Sequence, residues 1–527
     1  MRKFSLLFIF TILASMLSAQ GISQLQQRKL TNALTAISNL YVDTINDKKL
    51  IESTLESVLK ALDPHSSYIP REEIERINEP LVGSFFGIGI QFQQMEDTIL
   101  VIQTIAGCPA EKVGVLPGDR IIFIDNVLVA GIKIKTSDVY KKLRGPKGTE
   151  VTIKVRRGSK PELMEFKIIR DKIPIYSVDA TYMIGKDIGY IKINQFGSST
   201  VQEFEKAFAT LQKKGMKSLI VSLQSNGGGY LNAAKMLADE FLSKNKLIVY
   251  TQGLNQLKNV ETSTASGVFE TGKLIFLVDE YSASASEIVS GALQDWDRAI
   301  IVGRRTFGKG LVQNQFPLID GSMMRLTIAR YYTPTGRCIQ KSYKGGYDKY
   351  EHDLMDRFKK GELLHPDSIH FPDSLKYQTL NLKRTVYGGG GIMPDIFVPL
   401  DTTRFTVLHR KLVGQGIVNK VCLQYIDKNR EDLKKKYTTF DKFRKEFTVD
   451  DTFMGQLTTA AEKEKIKIDS TQYAISKPLI KLQLKALVAR DLWEINEYYQ
   501  IMDADNESLQ KAVEILQTPG AYEKILK

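Results

Sequence analysis

Helix-like spacing of apolar residues marks both ends of the chain. At the amino-terminal end, apolar residues recur at three- and four-residue steps over residues 30–62, and Asp63-Pro64 then ends the pattern. Beyond residue 404 the chain is charged and again helical, and residues 479–502 carry its clearest apolar stripe. The pattern predicts a helical N-terminal region over residues 20–82 and a helical C-terminal region over residues 404–527.

The pattern between these two regions changes twice. Over residues 83–173, turn signals such as Pro117-Gly118-Asp119 interrupt short β-like runs, which predicts a small β-rich domain. The runs span residues 88–92, 99–105, 120–124, 150–156 and 164–169. Over residues 174–403, strands alternate with helices, and residues 247–250 are one of these strands. The alternation predicts βαβ units around a largely parallel sheet. Residues 341–390 have little periodicity, and we interpret them as a long surface insertion. The fold class is therefore multidomain α/β.

The first nineteen residues have the layout of a secretory signal peptide. Arg2 and Lys3 give a basic start, residues 4–17 are almost uninterruptedly apolar, and Ser18-Ala19 is a small-residue end. The apolar stretch is shorter than the ~20 residues of a membrane-spanning helix. We predict that residues 1–19 are removed after Ala19 and that the mature protein is exported to the periplasm or the cell envelope.

Composition and charge exclude several classes of function but do not indicate a particular one. The 527 residues are 43% apolar and 25% charged, which is typical of globular domains. The net charge is +13, but basic residues are scattered among acidic ones, so no nucleic-acid partner is predicted. Cys108, Cys338 and Cys422 lie far apart and the five histidines form no motif, so the sequence predicts neither a disulfide scaffold nor a metal or other cofactor.

The strongest local signal for chemistry is a serine-rich turn. An apolar strand over residues 273–278 is followed by Ser282, Ser284 and Ser286 and then by a helix. A serine on such a turn is exposed at the carboxyl end of the strand, where the following N–H groups face developing negative charge. Serine before a helix also suits a simple N-cap, so both interpretations stay open.

A second signal is the glycine run Gly227-Gly228-Gly229, which follows another apolar strand. Consecutive glycines let backbone N–H groups approach a ligand closely, as oxyanion holes and phosphate loops both require. The G-x-x-x-x-G-K-[ST] pattern of a phosphate loop is missing, so an oxyanion hole fits better. A flexible turn remains the alternative.

The third signal is Lys309, which lies between two glycines. A buried lysine loses its charge because desolvation disfavours the ammonium, and the neutral amine can then accept a proton from a serine. An exposed Gly-Lys-Gly turn is the alternative.

These segments, in this order, resemble the carboxyl-terminal processing peptidases, also called tail-specific proteases. The resemblance spans about residues 30–400 and implies a crotonase/Clp-like arrangement of the βαβ core. It rests on residues 282–288, on residues 306–310 with Gln313, and on residues 326–337 and 391–395. Residues 62–68 resemble the segment that precedes the family's PDZ domain, and residues 87–90 with 117–119 resemble that domain itself.

The resemblance also implies the catalytic residues. Ser284 would be the nucleophile, Lys309 the general base and Gln313 the residue that orients the lysine, and the 25-residue step to Lys309 selects Ser284 among the serines. The N–H groups of Gly228 and Ala285 would form the oxyanion hole, with the choice of glycine uncertain by one position. Where this chain has Gln224 and Gly227, the family often has Arg and Pro.

For substrates, the resemblance implies capture of a protein tail. The PDZ-like loop, formed by Gly87, Ile88, Gly89 and Ile90, would bind a free, apolar C-terminus. The predicted function is an exported serine endopeptidase that processes proteins from their C-terminal tails. A catalytically weak PDZ-containing scaffold and a crotonase-type acyl-CoA enzyme are the alternatives. The presence of Ser284, Lys309 and Gln313 together favours the peptidase. The sequence leaves open an adaptor, a homo-oligomer, peripheral membrane association and the role of residues 404–527.

Overall fold

The computed structural model describes residues 21–95, 97–158 and 161–526. The predicted signal peptide lies outside the described residues. Within the described ranges, no helix combines the length and the apolar character that crossing a membrane requires.

The N-terminal region is helical, as predicted. Helix α1 spans Gln24–Leu40, α2 Asp47–Leu62 and α3 Arg71–Val82, and the short strand β1, Ser67–Ile69, lies before α3. Helix α2 ends where Asp63 adopts extended backbone ahead of a proline. The chain then enters β1, which pairs antiparallel with the later strand β18, Met323–Tyr332, and this pairing joins the N-terminal region to the core.

A β-rich domain follows, and four of its strands lie within two residues of the predicted runs. Its main sheet has the order β3-β4-β5-β7-β8, with β6 paired to β5 and a separate pair formed by β2 and β9. The elements are β2 Ser84–Gly87, β3 Ile90–Met95, β4 Thr98–Thr104, α4 Pro109–Lys112, β5 Arg120–Ile124, β6 Val127–Leu128, α5 Thr136–Leu143, β7 Glu150–Arg156, β8 Leu163–Ile169 and β9 Asp171–Pro174. Alternating residues such as Ile99, Ile121 and Ile153 form its own apolar core.

The core domain is built on a six-stranded sheet of order β10-β11-β12-β15-β16-β21. Its strands are β10 Val178–Ile184, β11 Ile188–Ile193, β12 Ser218–Ser222, β15 Leu274–Val278, β16 Ile300–Gly303 and β21 Ile396–Phe397. All neighbours are parallel except β10 and β11. One face packs against helices α6 Thr200–Lys213, α7 Leu231–Asp239 and α8 Ala285–Asp295. Every residue of β15 is buried, because both faces of the sheet are covered.

A second, antiparallel sheet lies beside the first. It contains β1, β13 Leu247–Gln252, β14 Asn259–Thr262, β17 Leu311–Pro317 and β18. The sequence pattern placed residues 247–250 among the alternating strands of the parallel sheet, and this was wrong, because β13 pairs antiparallel with β14 and β18. Strand β17 begins two residues after Lys309 and therefore fixes that lysine next to this sheet.

Residues 341–390 form helices α9 Tyr347–Glu351 and α10 Asp353–Lys359 and a hairpin of β19 Lys376–Gln378 and β20 Thr385–Tyr387. The expectation of a surface insertion missed how far this segment is built into the core. Arg357 is buried, and its guanidinium donates hydrogen bonds to the carbonyl oxygens of Arg305 (2.6 Å) and Thr306 (3.1 Å). The segment therefore supports the loop that carries Lys309.

The C-terminal region is helical, as predicted, but its clearest predicted helix is two helices. The helices are α11 Val407–Gly414, α12 Ile417–Lys436, α13 Phe440–Glu446, α14 Asp451–Lys463, α15 Ser470–Leu492, α16 Ile495–Met502, α17 Glu507–Gln517 and α18 Ala521–Ile525. The apolar stripe over residues 479–502 runs across a break at Trp493, whose backbone leaves the helical conformation.

The C-terminal helices contact both other domains. Leu423 packs with Met95, Leu100 and Ile102 of the β-rich domain, and Arg120 of that domain pairs with Asp427 at 2.7 Å. Helices α17 and α18 cover the second face of the six-stranded sheet. The C-terminal helices therefore cap the core and hold the β-rich domain.

Candidate active site

A cleft of about 510 Å³ opens at the carboxyl ends of β12 and β15. Ser284, Lys309 and Gln313 all line it, although they come from three separate segments of the chain. Leu81 and Val82, at the end of α3, also line it. The structure thus brings together the three side chains that the sequence singled out.

Ser284 lies on a strained turn between β15 and α8. Its φ of 54° and ψ of −111° are unusual for a residue with a side chain, and such strain is concentrated at functional sites. The hydroxyls of Ser282 and Ser286 are buried and donate to the carbonyl oxygens of Leu223 (2.8 Å) and Asn226 (2.9 Å). Of these three serines, Ser284 lines the cleft, while the other two hold neighbouring loops together.

Both backbone polar groups of Lys309 form hydrogen bonds to side chains. Its N–H donates to the Glu287 carboxylate at 2.9 Å, and its carbonyl oxygen accepts the Tyr331 hydroxyl at 2.6 Å. Burial is the main cause that lowers the pKa of the Lys309 amine, and the nearby charge of Arg325 lowers it further. Within the described ranges no hydrogen bond joins Lys309 Nζ to Ser284 Oγ.

Glu287 is the residue that the sequence reasoning missed. Its buried carboxylate accepts hydrogen bonds from the Thr306 hydroxyl (2.5 Å) and from the N–H groups of Ser284 (2.8 Å), Gly308 (2.8 Å) and Lys309 (2.9 Å). Burial raises the pKa of Glu287 to about 7, and the hydrogen bonds oppose that rise. One side chain thus ties the serine turn to the lysine loop. The S-x-x-E spacing of a capping box was the available signal.

Glu287→Gln is expected to lower both stability and activity. An amide offers one acceptor oxygen, so two of the four donors lose their partner, which costs about 2–4 kcal/mol of unfolding free energy. Urea unfolding and kcat measured on one preparation give both effects. Glu203→Gln is the matched control, because Glu203 accepts N–H groups of Ser177 and Val178 away from the cleft. Unchanged kcat in Glu287→Gln would contradict the linking role.

The glycine run differs in detail from the prediction. Gly228 has φ +102°, and a Cβ on it would lie 2.8 Å from Ser284 Cβ, so only glycine fits there. Its N–H, however, donates to Asn226 Oδ1 at 2.8 Å. Gly227 and Gly229 line the cleft. The predicted donor is therefore next to the serine but engaged within its own loop. Ala285 opens α8, where the first N–H groups have no acceptor within the helix.

Gln313 does not contact Lys309 through a hydrogen bond within the described residues. Its Nε2 donates to Thr327 Oγ1 at 3.3 Å, and the Thr327 hydroxyl donates to Asp63 Oδ1 at 2.9 Å. These two hydrogen bonds connect the cleft to Asp63, the residue that follows α2. His65 lies nearby, and burial together with the charge of Lys309 lowers its pKa to about 4, so it is neutral at neutral pH.

The predicted tail-binding loop lies between β2 and β3. Carbonyl oxygens of Ile88 and Gly89 accept hydrogen bonds inside the domain, from Ala110 (2.8 Å) and Ile105 (2.9 Å). In the described part of the chain, the N–H groups of these two residues donate to no protein acceptor. Ile90 begins β3, and Phe92 of this strand contacts Tyr140 of α5 with ring centroids 5.0 Å apart. Ile88 and Gly89 are buried, and the loop places their N–H groups next to the first residue of β3.

Comparison with known proteins shows which families these domains resemble. Residues 187–348 match a model described as "Peptidase family S41", residues 100–157 match "PDZ domain", and residues 408–494 match "Family of unknown function (DUF8443)". The chain is 38% identical over 305 residues to a carboxy-terminal-processing protease of Bartonella bacilliformis, which covers 57% of this chain and 69% of that protein. It is 34% identical over 339 residues to a "Probable CtpA-like serine protease" of Staphylococcus aureus, which covers 63% and 67%. A solved photosystem II D1 C-terminal processing protease is 27% identical, over 60% of this chain and 91% of that one, with a TM-score of 0.33.

A PDZ domain ahead of a serine peptidase core defines the class of this protein. The chain belongs to peptidase family S41, among its CtpA-like carboxyl-terminal processing proteases. The family resemblance seen in the sequence is confirmed, and the peptidase interpretation is better supported than the scaffold or acyl-CoA alternatives.

Proposed function

We propose that this chain is an exported serine endopeptidase in which Ser284 and Lys309 form a catalytic dyad and protein C-termini are the recognised feature. The observation that carries the proposal is the shared carboxylate of Glu287. It fixes the backbone of both residues at one cleft, and burial shifts the lysine toward its neutral form.

In the acylation step, neutral Lys309 takes the proton of the Ser284 hydroxyl as its oxygen attacks the scissile carbonyl carbon. The carbonyl oxygen becomes an oxyanion, which the N–H of Ala285 and one N–H of the glycine run stabilise. Gly228 fills that role once its N–H leaves Asn226. The lysine ammonium then gives its proton to the leaving amine, and water hydrolyses the acyl enzyme by the same sequence.

Substrate recognition is expected to depend on a free carboxylate. The N–H groups of Ile88 and Gly89, which have no protein acceptor in the described part of the chain, are suited to a terminal carboxylate, and the edge of β3 to an added strand. Amidating the C-terminus of a peptide substrate removes the charge, so KM should rise about tenfold or more while kcat changes little. Cleavage of matched acid and amide peptides measures this. Equal KM values would show that the domain does not read the tail.

Export rests on the sequence of residues 1–19. Cleavage after Ala19 would leave Gln20 as the first residue of the mature protein. N-terminal sequencing of protein recovered from the cell envelope tests this, and an intact Met1 there would contradict it.

A further inference from the structure

A side chain from the C-terminal region reaches the back of the glycine loop, which we define as residues 224–229. Asn506 Nδ2 donates a hydrogen bond to Gln224 Oε1 at 2.7 Å. The other side of the same amide caps a helix, because Asn506 Oδ1 accepts the N–H of Leu509 at the start of α17. One residue outside the peptidase core therefore fixes both a helix end and the first residue of the glycine loop.

The glycine loop needs support at this point. Behind it lies a cavity of about 430 Å³ lined by Gln224 and Ser225. Besides Asn506, Gln224 Oε1 accepts only a long hydrogen bond from the Ser222 hydroxyl (3.5 Å) among the described residues, so without Asn506 the side chain has space to turn. The adjoining Ser225 has φ +61°, a strained value for a residue with a side chain. Two further contacts act on the loop backbone from this side: Lys192 Nζ donates to the Gln224 carbonyl at 3.1 Å, and the Ser225 N–H donates to the Asp279 carboxylate at 3.0 Å.

Later residues of the glycine loop contact the turn that carries Ser284. The Asn226 carbonyl oxygen accepts the N–H of Ala283 (3.0 Å) and the hydroxyl of Ser286 (2.9 Å), which flank Ser284. Gly227, three positions after Gln224, already lines the cleft. A displacement at Gln224 therefore moves the backbone donors relative to Ser284, and catalysis is sensitive to errors of that size.

We propose that Asn506 is a positioning residue for the oxyanion hole, acting through its hydrogen bond to Gln224. The proposal rests on the proposed function, since it assigns the glycine loop to the oxyanion. It gives the end of the C-terminal region a part in the reaction in addition to covering the sheet. It also accounts for the glutamine at position 224, where the family often has arginine.

Asn506→Ser and Gln224→Met in the full-length protein test the proposal. Serine is also a good N-cap, so Asn506→Ser keeps the helix end and removes the amide donor to Gln224. Both variants should lower kcat about tenfold and leave KM within about twofold, because the oxyanion forms only during reaction. The double variant should lose no more than either single one. Gln224→Glu keeps an acceptor facing Asn506 and should lose less than Gln224→Met.

Asn496→Ser is the matched control. Asn496 Oδ1 accepts the N–H of Thr181 at 2.8 Å, a contact of the same region with β10 that does not touch the glycine loop. Its kcat should stay at the wild-type value. If kcat is normal in Asn506→Ser and Gln224→Met while Ser284→Ala is inactive, the positioning role is overturned and the proposed function stands. An equal loss of kcat in Asn496→Ser also overturns it. If Ser284→Ala cleaves normally, the proposed function itself fails.

Discussion

Ser284→Ala is expected to lower kcat/KM by about 10⁴-fold or more, which is the scale on which removal of a nucleophile acts in serine peptidases. Alanine keeps the strained turn but has no oxygen to attack the carbonyl. The N–H of residue 284 still donates to Glu287, so the fold around the cleft is retained. Cleavage of an unfolded reporter with a free C-terminus measures the rate, and circular dichroism verifies the fold.

Ser290→Ala is the matched control for this experiment. Ser290 is buried on the same helix, α8, and its hydroxyl donates to the Ser286 carbonyl oxygen at 2.8 Å, away from the cleft. Its activity should remain within about threefold of the wild type, since a lost neutral hydrogen bond costs only about 1 kcal/mol of stability. Normal cleavage by Ser284→Ala would mean that another residue is the nucleophile.

The elements that the sequence predicted well are those whose patterns are local. The continuous apolar run of β15 predicted a strand, which is buried along its whole length, and the turn after it predicted a serine at the carboxyl end of that strand. Lys309 could be singled out as the candidate general base because glycines flank it and because the family spacing to Ser284 is present. In each case a few neighbouring residues determine the backbone conformation.

The features that the sequence did not predict depend on distant partners. Glu287 belongs to the site because its carboxylate accepts hydrogen bonds from residues 306–309, and a helix and a strand separate those residues from Glu287 in the sequence. The pairing of β13 with β18 joins segments about 80 positions apart. The local pattern of apolar residues does not determine which sheet a strand joins. The contact between Asn506 and Gln224 spans 282 positions. Such contacts are selected by packing of the whole chain, which propensity and spacing do not encode.

Lys309→Arg and Lys309→Met are both expected to lower kcat/KM by about 10³-fold or more, in the range that a general base contributes. Arginine keeps the charge but its guanidinium cannot act as a neutral base, and methionine keeps the length without an amine. In the wild type, burial lowers the pKa of Lys309, so kcat/KM should rise with pH to a plateau through an apparent pKa below 10.5.

The lowered pKa of Lys309 also determines how the stability of the protein depends on pH. Between the lowered folded pKa and the ordinary value of 10.5, the unfolded chain binds more protons at Lys309 than the folded chain. Stability should therefore increase with pH across that window, and this contribution should be missing in Lys309→Met. Urea unfolding of the wild type and Lys309→Met over pH 7–10.5 compares the two slopes. Equal slopes would mean that the lysine is not desolvated in the folded protein.

Two other groups near the cleft could produce a pH-dependent rate and must be separated from Lys309. Glu287 has a pKa of about 7, and burial also lowers the pKa of Lys341. Lys341→Arg cannot titrate in this range, and Glu287→Gln cannot titrate at all, so the rise of kcat/KM with pH should survive in both, even where the absolute rate falls. Loss of the rise in either variant, combined with turnover in Lys309→Arg, would assign the proton transfer to that group instead of to Lys309.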